Sequence, residues 1–192
     1  VKALGTKLLK MLPDNARVVI ISETTYGWYL SYMTMLCGAG IAVPVDKELP
    51  YNELENLINR SKASAVIYSE KKKDMIKKIE ENVPSVKYFI QMDCDDFVEN
   101  KHVGINYLIK EGNELLESGE KSYINAEINP DEFKVLIFTS GTTSASKGVM
   151  ISNRNLAWNV NAARAYVKLT ENDRLFSVLP LHHTYESTIG FL

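Results

Sequence analysis

The sequence predicts an α/β fold: a mostly parallel sheet with helices on both faces. Three observations lead there. Short uninterrupted runs rich in β-branched residues recur along the chain, stretches with helical apolar spacing separate them, and turn-forming clusters such as Pro13-Asp14-Asn15 mark the boundaries. Strands that read as continuous apolar runs are those buried on both faces, which in a parallel sheet means helices above and below.

Taken in order, Val1 to Leu12 places Leu4, Leu8, Leu9 and Leu12 on one helical face. Arg17 to Ser22 reads as a strand. The uncharged stretch from Thr24 to Val45 is long enough to raise the question of a membrane span, but Tyr26, Ser31, Tyr32 and Thr34 are scattered through it. Gly38-Ala39-Gly40 also breaks it midway. It is better read as a buried helix followed by a buried strand, Ile41 to Val45, completing a βαβ unit.

Pro50 then precedes an amphipathic helix, Tyr51 to Ser61, with Leu54, Leu57 and Ile58 on one side, followed by a strand at Ala65 to Tyr68. Lys71 to Asn82 reads as one helix with Met75, Ile76 and Ile79 inward, and Val86 to Gln91 as the next strand. The lysines at 71, 72, 73, 77 and 78 are interleaved with Asp74, Glu80 and Glu81, the pattern of a solvated helix face rather than an anion site. Asp93 to Asn129 is polar and irregular apart from a helical stretch near Tyr107 to Leu116. These patterns divide the chain into a first α/β unit at 1–92, a connecting region at 93–130 and a second α/β segment at 131–192.

Composition bounds the function. The 192 residues include 45% hydrophobic residues, enough for a sizeable core. With 22 Lys and Arg against 24 Asp and Glu, the net charge of −2 gives no field to hold a polyanion, so a dedicated nucleic-acid binder is not expected. Two cysteines, Cys37 and Cys94, make neither a disulfide scaffold nor a metal-ligand spacing, which suits a reducing, cytoplasmic setting. No basic-then-apolar leader is visible, and no transmembrane segment is expected. The opening at Val1 and the apolar ending Ile189-Gly190-Phe191-Leu192 read as cuts through a longer protein.

The chemistry lies in one segment. The apolar strand Phe133 to Phe138 runs into Thr139-Ser140-Gly141-Thr142-Thr143-Ser144-Ala145-Ser146-Lys147-Gly148. Small side chains let backbone N–H groups and Ser and Thr hydroxyls converge on phosphate oxygens, and glycines permit turns that a Cβ obstructs. Lys147 adds a point charge, which at ~4 Å from a phosphate oxygen contributes about 1–4 kcal/mol, depending on the water that remains. A flexible linker has similar composition, but it would not be wedged between an apolar strand and a second one, Val149-Met150-Ile151, ahead of the helical stretch Asn155 to Lys168. The loop is not the P-loop of NTPases: five residues separate Gly141 from Lys147, Val149 stands where a metal-binding hydroxyl should be, and a strand precedes any helix.

The segment resembles the adenylate-forming, AMP-binding enzymes, whose signature loop is Thr-Ser-Gly-Thr-Thr-Gly-x-Pro-Lys-Gly. Thr139 to Gly148 departs from it at Ser144, where the family has Gly, and at Ser146, where it has Pro. A second segment, Leu179-Pro180-Leu181-His182-His183-Thr184-Tyr185-Glu186, is similar to the family's Pro-Leu-aromatic-His motif and follows a strand-like Leu175 to Val178. Val43-Pro44-Val45-Asp46 through Ser69 is similar as well. Both motifs follow apparent strands joined by a helical crossover, so they are expected at the carboxyl ends of parallel strands, facing one pocket.

The resemblance implies a partial N-terminal domain of the adenylate-forming fold and ATP-dependent activation of a carboxylate. It implies that Thr139, Ser140, Gly141, Thr142, Thr143, Ser144 and Lys147 bind ATP phosphates, with Thr139 a ligand of Mg²⁺. Lys147 and His183 would be the catalytic groups, His183 orienting the carboxylate while His182 packs. Coenzyme A is the implied acceptor. The wording of both motifs is similar to long-chain acyl-CoA synthetases, which implies a fatty acid substrate and leaves peripheral membrane association open. A ribose-binding aspartate, a Tyr-Gly-x-Thr-Glu segment and a C-terminal lysine of the family are absent from these residues, so a missing C-terminal part is implied and the piece alone should be inactive. Two alternatives stand beside this reading: a non-catalytic nucleotide- or acyl-binding module, and the adenylation domain of a peptide synthetase.

Overall fold

The computed structural model describes residues 1–94, 97–139, 146–168, 170–174 and 176–192. The elements begin with α1 (Lys2–Met11), β1 (Arg17–Ile21), α2 (Tyr26–Thr34), β2 (Ile41–Pro44), α3 (Tyr51–Ser61), β3 (Ala65–Tyr68), α4 (Lys73–Ile79) and β4 (Tyr88–Gln91). They continue with β5 (Val98–Glu99), β6 (His102–Gly104), α5 (Ile105–Glu117), β7 (Phe133–Thr139), β8 (Lys147–Ser152) and α6 (Asn153–Tyr166).

Among the described residues, eight strands form one sheet in the order β5-β6-β4-β3-β1-β2-β7-β8. The neighbours from β6 to β7 pair in parallel, whereas β5 and β8 run antiparallel at the two edges. The fold is thus the α/β, mostly parallel one expected. Strands from all three sequence segments, 1–92, 93–130 and 131–192, are hydrogen-bonded into this single sheet.

β1 explains why its sequence does not alternate. Val18 and Ile20 pack with Leu4 and Leu8 of α1, Trp28 and Tyr32 of α2 and Leu108 of α5, while Val19 and Ile21 pack on the opposite face with Leu54, Leu57 and Ile58 of α3 and Ile76 and Ile79 of α4. All four strand residues are fully buried, each contributing about 1.5–3 kcal/mol of hydrophobic stabilisation. The two-residue period is present in space but invisible in the letters, because both faces are apolar.

Three expectations are corrected. The region 93–130 contains β5 and β6 as well as α5, so the sheet continues where the sequence read as an irregular connection. These strands are only two and three residues long, below the length at which an apolar run becomes recognisable. The segment 71–82 is a seven-residue α-helix flanked by 3₁₀ turns rather than one helix. Residues 176–178, expected as a strand, carry no strand among the described residues, so the His182-His183 motif does not follow one. β8 runs antiparallel to β7, so the two strands flanking the Ser- and Thr-rich loop form a hairpin.

The break at residues 38–40 has the expected cause. Gly38 adopts φ 118°, a conformation that side-chain-bearing residues rarely accept, and the chain turns there from the end of α2 into β2. Among the described residues no helix is long and apolar enough to cross a membrane.

Candidate functional site

The carboxyl ends of the parallel strands are where ligands sit in open α/β sheets, because the connections there leave backbone groups unpaired and facing outward. In this chain β7 ends at that edge with Thr139, and β8 returns from it with Lys147. Thr139 and Lys147 are paired residues in the antiparallel ladder, with Phe138 opposite Gly148 and Ile137 opposite Val149 behind them. Both ends of the Ser- and Thr-rich loop are therefore held one strand spacing apart, and Thr139 and Lys147 are both exposed. A hydroxyl and an ammonium presented side by side at the mouth of a sheet suit an oxyanion-rich ligand. Ser140, Gly141, Thr142, Thr143 and Ser144, the other residues read as phosphate-binding, lie outside the described residues.

The second motif reaches the same edge by a different route. Leu181 is buried, and the His183 N–H donates to the Pro180 carbonyl at 3.0 Å, closing a turn. The His182 side chain is half-buried, with Nε2 3.8 Å from Oδ2 of Asp46. Asp46 follows β2, the strand beside β7, and also accepts the Glu48 N–H at 2.9 Å. Burial pushes the His182 imidazole below its ordinary pKa; Asp46 opposes that shift and the neighbouring His183 reinforces it. The two imidazoles lie 4.4 Å apart at an angle of 35°, and His183 is exposed. His182 thus serves as the anchored ring and His183 as the presented one.

Behind this turn, Glu186 is buried and accepts a hydrogen bond from the Ser177 hydroxyl. The Ser187 N–H and hydroxyl both donate to the His183 carbonyl, at 3.1 Å each. Position 186 is therefore a structural carboxylate inside the motif. α6 connects the two motifs, starting directly after β8: Ser152 caps it, accepting the Asn155 N–H at 3.3 Å while the Ser152 N–H donates to Asn155 Oδ1 at 3.0 Å.

Two residues near the loop were given no role from sequence. Asp46 lies in the segment 43–69 that resembles the family, and Arg60 lies inside the helical stretch Tyr51 to Ser61 with nothing in its spacing to single it out. In the fold, Arg60 Nη1 donates to Ser146 Oγ at 2.9 Å and Nη2 to the Ser146 carbonyl at 2.6 Å. No sequence signal joins positions 86 residues apart.

The site offers little to a resident metal. Among the described residues no group of three or more His, Cys, Asp or Glu is arranged to hold one. The Thr139 hydroxyl fits Mg²⁺ in a supporting capacity, since Mg²⁺ keeps several waters and binds through substrate phosphates plus one or two protein oxygens. A concavity of about 920 Å³ lies further along the sheet, beside β3, β4 and β6, lined by Tyr68, Glu80 and His102 among others. There burial, helped by the charges of Cys94, Glu80 and Glu70, pushes the Tyr68 phenol up to about 12.

Comparison with known proteins fits this arrangement. A "CoA ligase" of Gibberella moniliformis is 29% identical over 186 residues, covering 93% of this chain and 27% of that protein. The human "Long-chain-fatty-acid--CoA ligase 1" is 28% identical over 200 aligned positions, covering 97% of this chain and 28% of that protein. In three dimensions, the anthranilate CoA ligase AuaEII, solved in complex with anthranoyl-AMP, superposes with a TM-score of 0.83 at 18% identity, over 97% of this chain and 35% of that one. The chain thus spans roughly a quarter of the length of the curated relatives it matches. The model of the AMP-binding enzyme family matches residues 3–192, and the chain belongs to that family of adenylate-forming ligases.

Proposed function

We propose that the polypeptide carrying this chain uses ATP to convert a carboxylic acid, of the long-chain fatty acid class, into an acyl-adenylate and then an acyl-CoA thioester. The observation that supports this reading best is the pairing of Thr139 with Lys147 at the carboxyl edge of the sheet, with the His182-His183 turn tied to the same edge through Asp46. Similarity to long-chain fatty acid ligases, at 28% identity, supports the substrate class.

In the first step a carboxylate oxygen attacks the α-phosphorus, the bond to the β-phosphate oxygen breaks, and pyrophosphate leaves. Negative charge shifts onto pyrophosphate, so the protein's task is positioning and neutralisation. The Lys147 ammonium and the Thr139 hydroxyl hold the β- and γ-phosphate oxygens, together with Ser140, Gly141, Thr142, Thr143 and Ser144. Mg²⁺, when bound beside Thr139, screens the charge between phosphate oxygens. The exposed His183 ring donates to the incoming carboxylate and keeps it in line, while His182, buried beside Asp46, fixes the turn that aims its neighbour. In the second step the coenzyme A sulfur, having lost its proton, attacks the acyl carbon and AMP departs.

The test is ATP–pyrophosphate exchange by the complete polypeptide, driven in turn by a long-chain fatty acid and an aromatic acid, followed by thioester formation with coenzyme A. Exchange with the fatty acid is the expected result, and the 192 residues alone should give none. Absence of exchange with every acid would overturn the reading in favour of a non-catalytic binding module; thioester formation on a carrier domain instead of coenzyme A would favour a peptide-synthetase adenylation domain. A cytoplasmic setting with peripheral membrane contact fits the proposed substrate.

A further inference from the structure

The loop's two ends are unequally supported. Thr139 continues β7, whose residues Val135 to Ile137 are buried. Lys147 opens β8, an edge strand whose first four residues are exposed, and among the described residues no strand pairs with its outer side. An edge strand start is where fraying is cheapest. Yet Lys147 needs a fixed backbone if its charge is to meet a phosphate in one geometry.

The needed restraint comes from α3. Arg60 lies in the last turn of this helix, next to the buried Leu57 and Ile58 that lock the helix to the sheet. Its guanidinium makes a two-pronged contact with Ser146, one nitrogen to the hydroxyl and the other to the carbonyl. The same guanidinium lies 5.4 Å from the centre of the Phe138 ring. Phe138 is the β7 residue opposite Gly148. One planar cation therefore touches both limbs of the hairpin on either side of Lys147, gripping the residue immediately before it.

We propose that Arg60 is a positioning residue for the phosphate loop: it fixes the backbone at Ser146 and so the reach of Lys147. This rests on the reading of the loop as an ATP site. Position 146 is also where this chain has Ser in place of the signature's Pro. A proline restrains φ covalently, whereas serine leaves it free. The guanidinium fork supplies from a neighbouring helix the restraint that a proline supplies from within the backbone.

The substitutions Arg60→Ala, Arg60→Lys and Ser146→Pro, and the combination of Arg60→Ala with Ser146→Pro, test this in the complete polypeptide by two readouts. The first is KM for ATP in pyrophosphate exchange, compared with kcat. The second is amide hydrogen exchange of the 139–148 peptide without ligand. Arg60→Ala should raise KM for ATP about 3- to 10-fold while kcat at saturating ATP changes less than about twofold, and it should speed amide exchange in the loop. Lysine should not restore either, because it lacks the planar fork. Ser146→Pro in the Arg60→Ala background should bring both back towards the parent values. An unchanged loop exchange rate in Arg60→Ala, or no recovery on adding proline, overturns the proposal. If the parent polypeptide shows no ATP–pyrophosphate exchange at all, the functional reading fails, and the amide readout still decides whether Arg60 holds the loop.

Discussion

Asp46 and His182, 136 residues apart in sequence, meet where Oδ2 lies 3.8 Å from Nε2, tying the end of a parallel strand to the turn that presents His183. This contact connects the first βαβ unit to the last described segment of the chain. Its electrostatics are measurable.

The His182 pKa is lowered by burial, so the folded protein prefers the neutral ring. In the unfolded chain the ring titrates near the ordinary value of 6.5. Stability contributed by the neutral ring is therefore complete above that value and is lost as pH falls from 6.5 towards the lower folded pKa, since the unfolded chain binds the proton first. His182→Asn should flatten the stability profile between about pH 7 and pH 5. Asp46→Asn, by removing the charge that opposes the shift, should steepen it. Urea midpoints across this range provide the check, and a parallel decline in all three proteins would refute the assignment.

Replacing Lys147 with Ala should reduce ATP–pyrophosphate exchange by about 5-fold to several hundred-fold, the range corresponding to a charge ~4 Å from phosphate in a partly wet site. His183→Ala should lower kcat by about 10²-fold with less effect on KM for ATP, because its hydrogen bond is assigned to the carboxylate. Circular dichroism should report unchanged folding for both, since both side chains are exposed. Full turnover by either variant would remove that residue from its proposed role.

The packing of α5 on α1 makes a prediction independent of chemistry. A Cβ added at Gly112 would stand 1.9 Å from the Ala3 carbonyl oxygen, with backbone on both sides of the clash. The helices approach that closely only because position 112 has no side chain, and Lys7 pairs with Glu111 beside the contact at 3.2 Å. Gly112→Ala should cost about 1–3 kcal/mol or more in denaturant unfolding, despite the higher helix propensity of alanine. A stabilised variant would show that propensity outweighs the clash.

Ser152 caps the helix that links the two motifs. Ser152→Ala should destabilise by about 0.5–2 kcal/mol. Ser152→Asp, which keeps an acceptor and places a negative charge at the helix N-terminus, should recover most of that loss. Thermal unfolding of the three proteins distinguishes a lost cap from a general surface effect, for which aspartate would offer no recovery.

Much of this molecule was legible in its letters. The strands at Arg17, Ile41 and Ala65 read clearly because burial on both faces demands apolar residues at every position, and the helices between them because only one face of each is apolar. The Ser- and Thr-rich loop stood out because a run of small residues wedged between two apolar strands is unusual, and its proposed phosphate-binding role would restrict side-chain size over consecutive positions. Less legible were β5 and β6, too short for any pattern, and the absence of a strand at 176–178, where Phe176 and Val178 are exposed despite their apolar character.

Sequence by itself determined the alternation of elements, the family the chain resembles and the residues proposed for its site, since each is written in neighbouring positions. Tertiary structure alone decided that β8 turns back against β7 to set Lys147 opposite Thr139, that Asp46 lies beside His182, and that Arg60 grips Ser146. Those relationships join residues far apart along the chain. Their partners are chosen by which helix faces and strand ends the packed sheet brings together, a property of the whole core that no local pattern encodes.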